Sequence, residues 1–271
     1  ESLGFDNFRL IDFAPNGNIV LLKSKEWLTI RNANKTNLTA FDINSKKQLF
    51  SIDKFLAYRG LIDKNSKYFL LEYYGGLCSI GLNNGEIIFR KDKMDKSLYN
   101  ADLHLESNVV YMPTEKKSVL TFDFNEQKIS EIKLENTGGS AWLKFNNSQT
   151  HILISDKKNS LHCFKHNNFT NPVWTLNFSK LKQDNRIWCY NILTTESNLG
   201  CIHGFTPACD QNANAGGTLY IFNIDNGEII DKYDYAENKC FQFSSEDLLK
   251  VIDQIFQINH VLKESLVNED S

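Results

Sequence analysis

Cys201, His203, Cys209 and Asp210 bring thiolate, imidazole and carboxylate groups into one short stretch, and these are ligand types that zinc accepts. Their spacing matches no established zinc template, and Cys201 lies in an apolar run that reads as a core strand. A structural thiol is expected there before a metal ligand. The same two cysteines could instead close a loop disulfide in an oxidising compartment. His162 and His166 share one face of a strand by parity and read as structural residues. Cys163 or Cys189 could serve as a nucleophile only with a base brought close by the fold, and paired carboxylates for glycoside hydrolysis carry the same requirement. Signals that are local in sequence do not occur: there is no Gly-rich phosphate loop, no Gly-x-Ser-x-Gly elbow and no His-Glu-x-x-His pair. No metal or cofactor is expected, and any active site must be assembled from distant segments.

The elements that would position such groups follow from an internal repeat. Leu38 to Phe50, Leu77 to Phe89, Val119 to Glu131 and Leu219 to Asp231 align without a gap, each reading as strand, polar turn and strand. A fifth copy begins at Leu161 and needs one extra residue to reach Trp174. Asn84-Gly85 and Asn226-Gly227 predict tight hairpins of the primed turn types, which need positive φ angles. Upstream of each hairpin a further strand pair ends in an apolar burst: Ile19 to Leu22, Tyr68 to Leu71, Val109 to Met112, His151 to Ile154, Leu199 to Ile202 and Leu248 to Ile252. Six bursts with a period of roughly 40 residues predict an all-β fold, a six-bladed β-propeller of four-stranded antiparallel blades. Seven blades is the alternative if Glu26 to Arg31 starts a degenerate blade, and a β-sandwich is the plainer rival. The chain reads as a single domain over residues 1–271. Ser244 to Asp247 resembles a helix N-cap, but strands are expected across Phe241 to Leu266, because a sixth blade otherwise lacks its residues. Phe8 to Phe13 or its upstream neighbours are expected beside the segment after Gln254, closing the ring.

Leu219-Tyr-Ile-Phe-Asn-Ile-Asp-Asn-Gly-Glu-Ile-Ile resembles the hairpin of quinoprotein-like propeller repeats, and Phe13-Ala-Pro-Asn-Gly-Asn-Ile-Val resembles the opening of a WD40-like blade. The resemblance covers most of the chain at the level of single repeats and implies the propeller fold. The Trp usual near the end of the quinoprotein hairpin is replaced by Phe50, Phe89, Glu131 and Asp231, and survives as Trp174. No Gly-His to Trp-Asp pair of the WD40 type is present. A bound quinone thus has no residue-level support.

With strands A to D in each blade, the A–B and C–D turns fall at one end of the sheet and the B–C and D–A connections at the other. The long connections belong to the second group: Lys23 to Asn37, Lys91 to Ser97, Ser179 to Arg186 and Gly204 to Gly217. The last forms part of a loop insertion at about 200–217, where the repeat spacing lengthens. Partner-binding candidates on that face are Phe205 and Asp210 in the insertion, Arg186, and Trp27 with Arg31. The same rim collects fourteen lysines and arginines, from Lys23 and Lys25 through Lys116, Lys117, Lys157 and Lys158 to Arg186, against acids that include Glu26, Asp92, Glu115, Asp156 and Asp210, and is locally basic.

The composition, 41% hydrophobic and 23% charged over 271 residues, supplies ample material for a large core. A formal charge of −3 provides no whole-molecule field that favours nucleic acid. No apolar run approaches the roughly 18 residues that cross a bilayer, so no membrane span is expected. The start, Glu1 to Asp6, lacks a signal-peptide pattern, which favours a cytoplasmic location over an exported form whose signal was removed but leaves localisation open. The six scattered cysteines read mainly as buried thiols. Asn34, Asn37, Asn146, Asn168 and Asn177 head glycosylation triplets of the kind an asparagine-rich chain generates by chance. The expected function is a non-catalytic protein-binding propeller with its partner on the B–C and D–A face and no identified small-molecule substrate. Its specific form is an inhibitor or bacterial immunity-type protein that neutralises a toxin. The alternatives are a propeller enzyme with a site at the central channel, such as a hydrolase or quinone-dependent oxidoreductase, and a scaffold subunit of a larger complex.

Overall fold

The computed structural model describes residues 8–24, 37–53, 57–73, 76–94, 98–114, 116–178, 188–195, 198–205 and 217–235. These residues form five four-stranded sheets, in each of which spatial order follows sequence order. The first contains β1 (Phe8–Phe13), β2 (Ile19–Ser24), β3 (Asn37–Asp42) and β4 (Lys47–Asp53). The second contains β5 (Ala57–Ile62), β6 (Tyr68–Tyr73), β7 (Gly76–Gly81) and β8 (Ile87–Asp92). The third contains β9 (Asp102–His104), β10 (Val109–Pro113), β11 (Ser118–Asp123) and β12 (Lys128–Lys133). β13 (Ser140–Phe145), β14 (His151–Asp156), β15 (Ser160–Lys165) and β16 (Trp174–Asn177) make the fourth. β17 (Trp188–Thr194), β18 (Leu199–Phe205), β19 (Gly217–Asn223) and β20 (Ile229–Tyr235) make the fifth.

The repeat segments that open at Leu38, Leu77, Val119, Leu161 and Leu219 all lie in third strands, β3, β7, β11, β15 and β19. The expected sixth repeat, the blade count and the ring closure after Gln254 lie outside the described residues.

Two compact units divide the chain, Glu1–Phe145 with Phe169–Asn171, and Asn146–Asn168 with Pro172–Ser271. In the first unit the packing explains why the second strands read as unbroken apolar bursts rather than alternating ones. Phe69 and Leu71 of β6 pack with Leu21, Leu38 and Ala40 of the first sheet, whereas Leu70, between them, packs with Val110, Met112 and Phe122 of the third. A strand covered on both faces cannot alternate with polar residues. Each such fully buried side chain contributes about 1.5–3 kcal/mol. In the second unit Ile152, Leu153 and Ile154 of β14 are likewise fully buried, with Leu161, Phe178, Ile221 and Phe222.

The hairpin turns differ from the expected primed type. A type I′ turn needs positive φ at both central residues. Here a single left-handed residue stands at each equivalent position: Lys46, Gly85, Gln127 and Gly227. In the second sheet Gly81 N donates to Glu86 O and Gly85 N to Gly81 O, both at 2.8 Å, enclosing a longer turn over Leu82 to Gly85. Asn84 accepts the Glu86 N–H through Oδ1 at 3.1 Å, so the Asn-Gly pair builds a side-chain-capped turn followed by one left-handed glycine.

Candidate functional site

The connections sort as strand parity requires. At one end of each sheet the A–B and C–D turns bond to each other: Ile43 N to Asn18 O, Leu82 N to Lys67 O, Phe124 N to Asn108 O and Ile224 N to Asn198 O. At the other end Leu134 N donates to Lys117 O and Phe178 N to Asn159 O, joining B–C turns to the chain leaving strand D. The A–B turns also bond from sheet to sheet within each unit. Asn16 N donates to Ser66 Oγ at 3.1 Å and Lys64 N to Asn108 Oδ1 at 3.0 Å in the first unit, and Asn146 Nδ2 to Asn198 Oδ1 at 3.0 Å in the second. Asn146 is buried and its amide also donates to Ser148 Oγ and Thr150 Oγ1, so its glycosylation triplet is closed to modification in the folded chain.

Two B–C turns are held from below by buried polar groups. In the third sheet Thr114 Oγ1 donates to Ser118 O at 2.8 Å, and Ser140 Oγ receives the Thr114 N–H at 2.7 Å while donating to Ser118 O. In the fourth, Asp156 Oδ1 accepts Lys158 N at 2.8 Å and Ser160 N at 2.9 Å. The other Asp156 oxygen lies 3.0 Å from His162 Nε2, and His162 Nδ1 lies 3.0 Å from Thr175 Oγ1. Carboxylate, imidazole and hydroxyl thus stand in a line, but Asp156 and His162 are 5% and 3% exposed and both ring nitrogens are engaged. The sequence places His162 and His166 on one strand face as structural residues; the strand β15 ends at Lys165, and His162 is held by Asp156 and Thr175. The available signal was the Asp-Lys-Lys-Asn-Ser turn, whose first residue can cap its own backbone.

The Cys78, Cys163 and Cys201 thiols are buried. Burial pushes Cys78 and Cys163 up to about 12, Asp225 adding to the shift at Cys163, and it raises Cys201 further. All three are free and buried, so Cys201 serves as the core thiol expected from its strand. Among the described residues no group of three potential ligands could hold a metal. An exposed cluster in the second sheet joins Tyr73, Arg90 and Asp92. Tyr73 Oη donates to Asp92 Oδ1, and Arg90 Nε donates to both at 3.1 Å with its guanidinium 5.0 Å from the Tyr73 ring centre. The Tyr73 hydrogen bond, with Arg90 beside it, holds Asp92 below the usual carboxylate range.

A second recurring contact joins one sheet to the next. In the first unit the Phe50 ring of β4 lies against the turn glycine of the second sheet, where a Cβ on Gly85 would stand 2.7 Å from it. In the second unit Trp174 of β16 covers Gly227 in the same way and donates from Nε1 to Ile224 O at 2.7 Å. The fourth-strand aromatic of one repeat therefore packs on the hairpin turn of its successor. Searches of known structures find the same architecture in the β-propeller domain of Cps50 (Swd1) from Myceliophteria thermophila, with a TM-score of 0.51 at 11% identity, covering 84% of this chain and 86% of that one. The fold is a β-propeller. No protein-family profile matches the chain, and neither does any curated protein.

In this propeller Phe205 is the last residue of β18, opposite Trp188 on one side and Gly217 on the other. The stretch read as loop insertion at about 200–217 thus begins as paired strand, and the connection itself spans 206–216. Asp210, Arg186, Trp27 and Arg31 lie outside the described residues. No helix among the described residues is long and apolar enough to cross a membrane.

Proposed function

We propose that this chain is a non-catalytic protein-binding β-propeller whose partner sits on the B–C and D–A connections, in its most specific form an inhibitor or immunity-type protein. The observation that carries the reading is the state of those groups offered by the sequence for chemistry that lie among the described residues. His162 has both nitrogens engaged by Asp156 and Thr175, and the Cys163 thiol, pushed up to about 12, stays protonated at neutral pH. His162 ties Asp156 to Thr175 across three strands, and the thiol is packed in the core. The choice of face is supported by the A–B turns, whose polar groups bond from blade to blade within each unit.

The test is capture of the partner on the immobilised full chain, followed by reconstitution from the two purified proteins. A stoichiometric complex is expected. A tightly bound quinone or metal recovered in stoichiometric amount with the purified chain would favour an enzyme and contradict the reading.

A further inference from the structure

Counted back from Val119 and Leu161, which open matching repeats, Thr114 and Ser118 occupy the same places in the third blade as Asp156 and Ser160 in the fourth. All four are buried, while Lys116 and Lys117 in one turn and Lys157 and Lys158 in the other are exposed. The chemistry of the two clamps differs, hydroxyls in one and a carboxylate with histidine in the other, but in both the buried bonds hold residues that flank two adjacent exposed lysines. Asn159 completes the second turn with a φ of 61°. A turn already ordered by buried hydrogen bonds loses less conformational freedom when a partner docks.

We infer that each paired-lysine turn is a docking point for an acidic polypeptide segment rich in Asp and Glu. This rests on the protein-binding reading above and gives that partner its chemistry. Nucleic acid suits the turns less well, since its readers combine a long basic stripe with Arg forks or stacking aromatics, and neither turn contains an arginine or an aromatic in a chain of net charge −3.

The probe is a fluorescently labelled polyglutamate peptide, followed by anisotropy at low ionic strength against the full chain. Lys116→Glu with Lys117→Glu, and separately Lys157→Glu with Lys158→Glu, should each weaken binding about tenfold, as loss of a complementary charged contact does. Lys128→Glu with Lys133→Glu, an equal charge change on the exposed β12 edge, should leave affinity nearly unchanged. Where a reversal lowers the unfolding temperature, the Gln substitutions at the same lysines replace it. Equal loss in the β12 control, unchanged affinity in the turn variants, or tighter binding of a labelled single-stranded oligonucleotide overturns the inference. A native partner that reconstitutes with the turn variants as well as with wild type also overturns it, and leaves protein binding standing.

Discussion

The indole Nε1 of Trp174 donates a 2.7 Å hydrogen bond to the carbonyl of Ile224, and the ring covers Gly227 in the turn that follows. Trp174→Phe keeps most of the ring but leaves that carbonyl without its strong donor, which should cost about 1–3 kcal/mol. Gly227→Ala meets both the left-handed φ of 73° and the indole, so it should destabilise by a similar amount. Urea unfolding of the two single variants and the double variant checks this. The double should cost clearly less than the sum, because both changes disturb one contact; strict additivity would separate the two residues energetically.

The buried thiols predict loss of stability in alkali. In the unfolded chain a cysteine ionises in the ordinary thiol range, whereas in the fold Cys78 and Cys163 keep their protons up to about 12. The folded value is raised, so stability is full below the ordinary thiol range and falls as pH rises towards the folded value. The slope is about 1.4 kcal/mol per pH unit for each thiol. Cys163→Ala should lower the urea midpoint at neutral pH and flatten its decline above about pH 9. Identical slopes in variant and wild type would refute the assignment.

Most of the strand framework was legible because two simple constraints write it into the residues. Second strands such as β6 are covered on both faces, hence the run Tyr68 to Leu71, and the equivalent hairpin turns carry one left-handed residue each, hence Gly85 and Gly227. The turn type was misread because Asn84-Gly85 fits a two-residue primed turn equally well, and the i-to-i+4 bond from Gly85 to Gly81 leaves no mark in composition. Phe205 was read as loop because it sits with Pro207 among Gly204, Asn212, Asn214, Gly216 and Gly217, yet β18 is paired on both sides, and a central strand tolerates glycine where its neighbours supply the ladder. Gly200 in particular leaves room for the Phe222 ring. The Asp156–His162–Thr175 line was not legible, since it joins three strands of a sheet through side chains whose convergence depends on register.

That line should behave as a structural clamp. His162→Phe leaves the buried Asp156 carboxylate without one of its partners and should cost about 3 kcal/mol. Asp156→Asn retains an oxygen for Lys158 N and Ser160 N and should cost less, about 1 kcal/mol. Chemical denaturation of both variants tests the order, and a costlier Asp156→Asn would show that the charge itself holds the turn.

The outer strands solve the exposed-edge problem in two ways. β4, β8 and β20 each skip one residue in pairing, at Leu49, Ile88 and Ile230, and such bulges blunt an edge. β12 pairs without a shift and carries Lys128, Glu131 and Lys133, all exposed. Replacing these three charges with Thr should leave the unfolding temperature nearly unchanged and increase aggregation on concentration, followed by light scattering. A variant as soluble as wild type would mean that the β12 edge needs no such protection.

The binding face can be read directly by hydrogen–deuterium exchange on the full chain, alone and with its reconstituted partner. Protection should gather on the B–C turns at 114–118 and 156–160 and the D–A connection at 134–139. Protection confined instead to the A–B and C–D turns, at 14–18, 43–46, 63–67 and 82–86, would contradict the account.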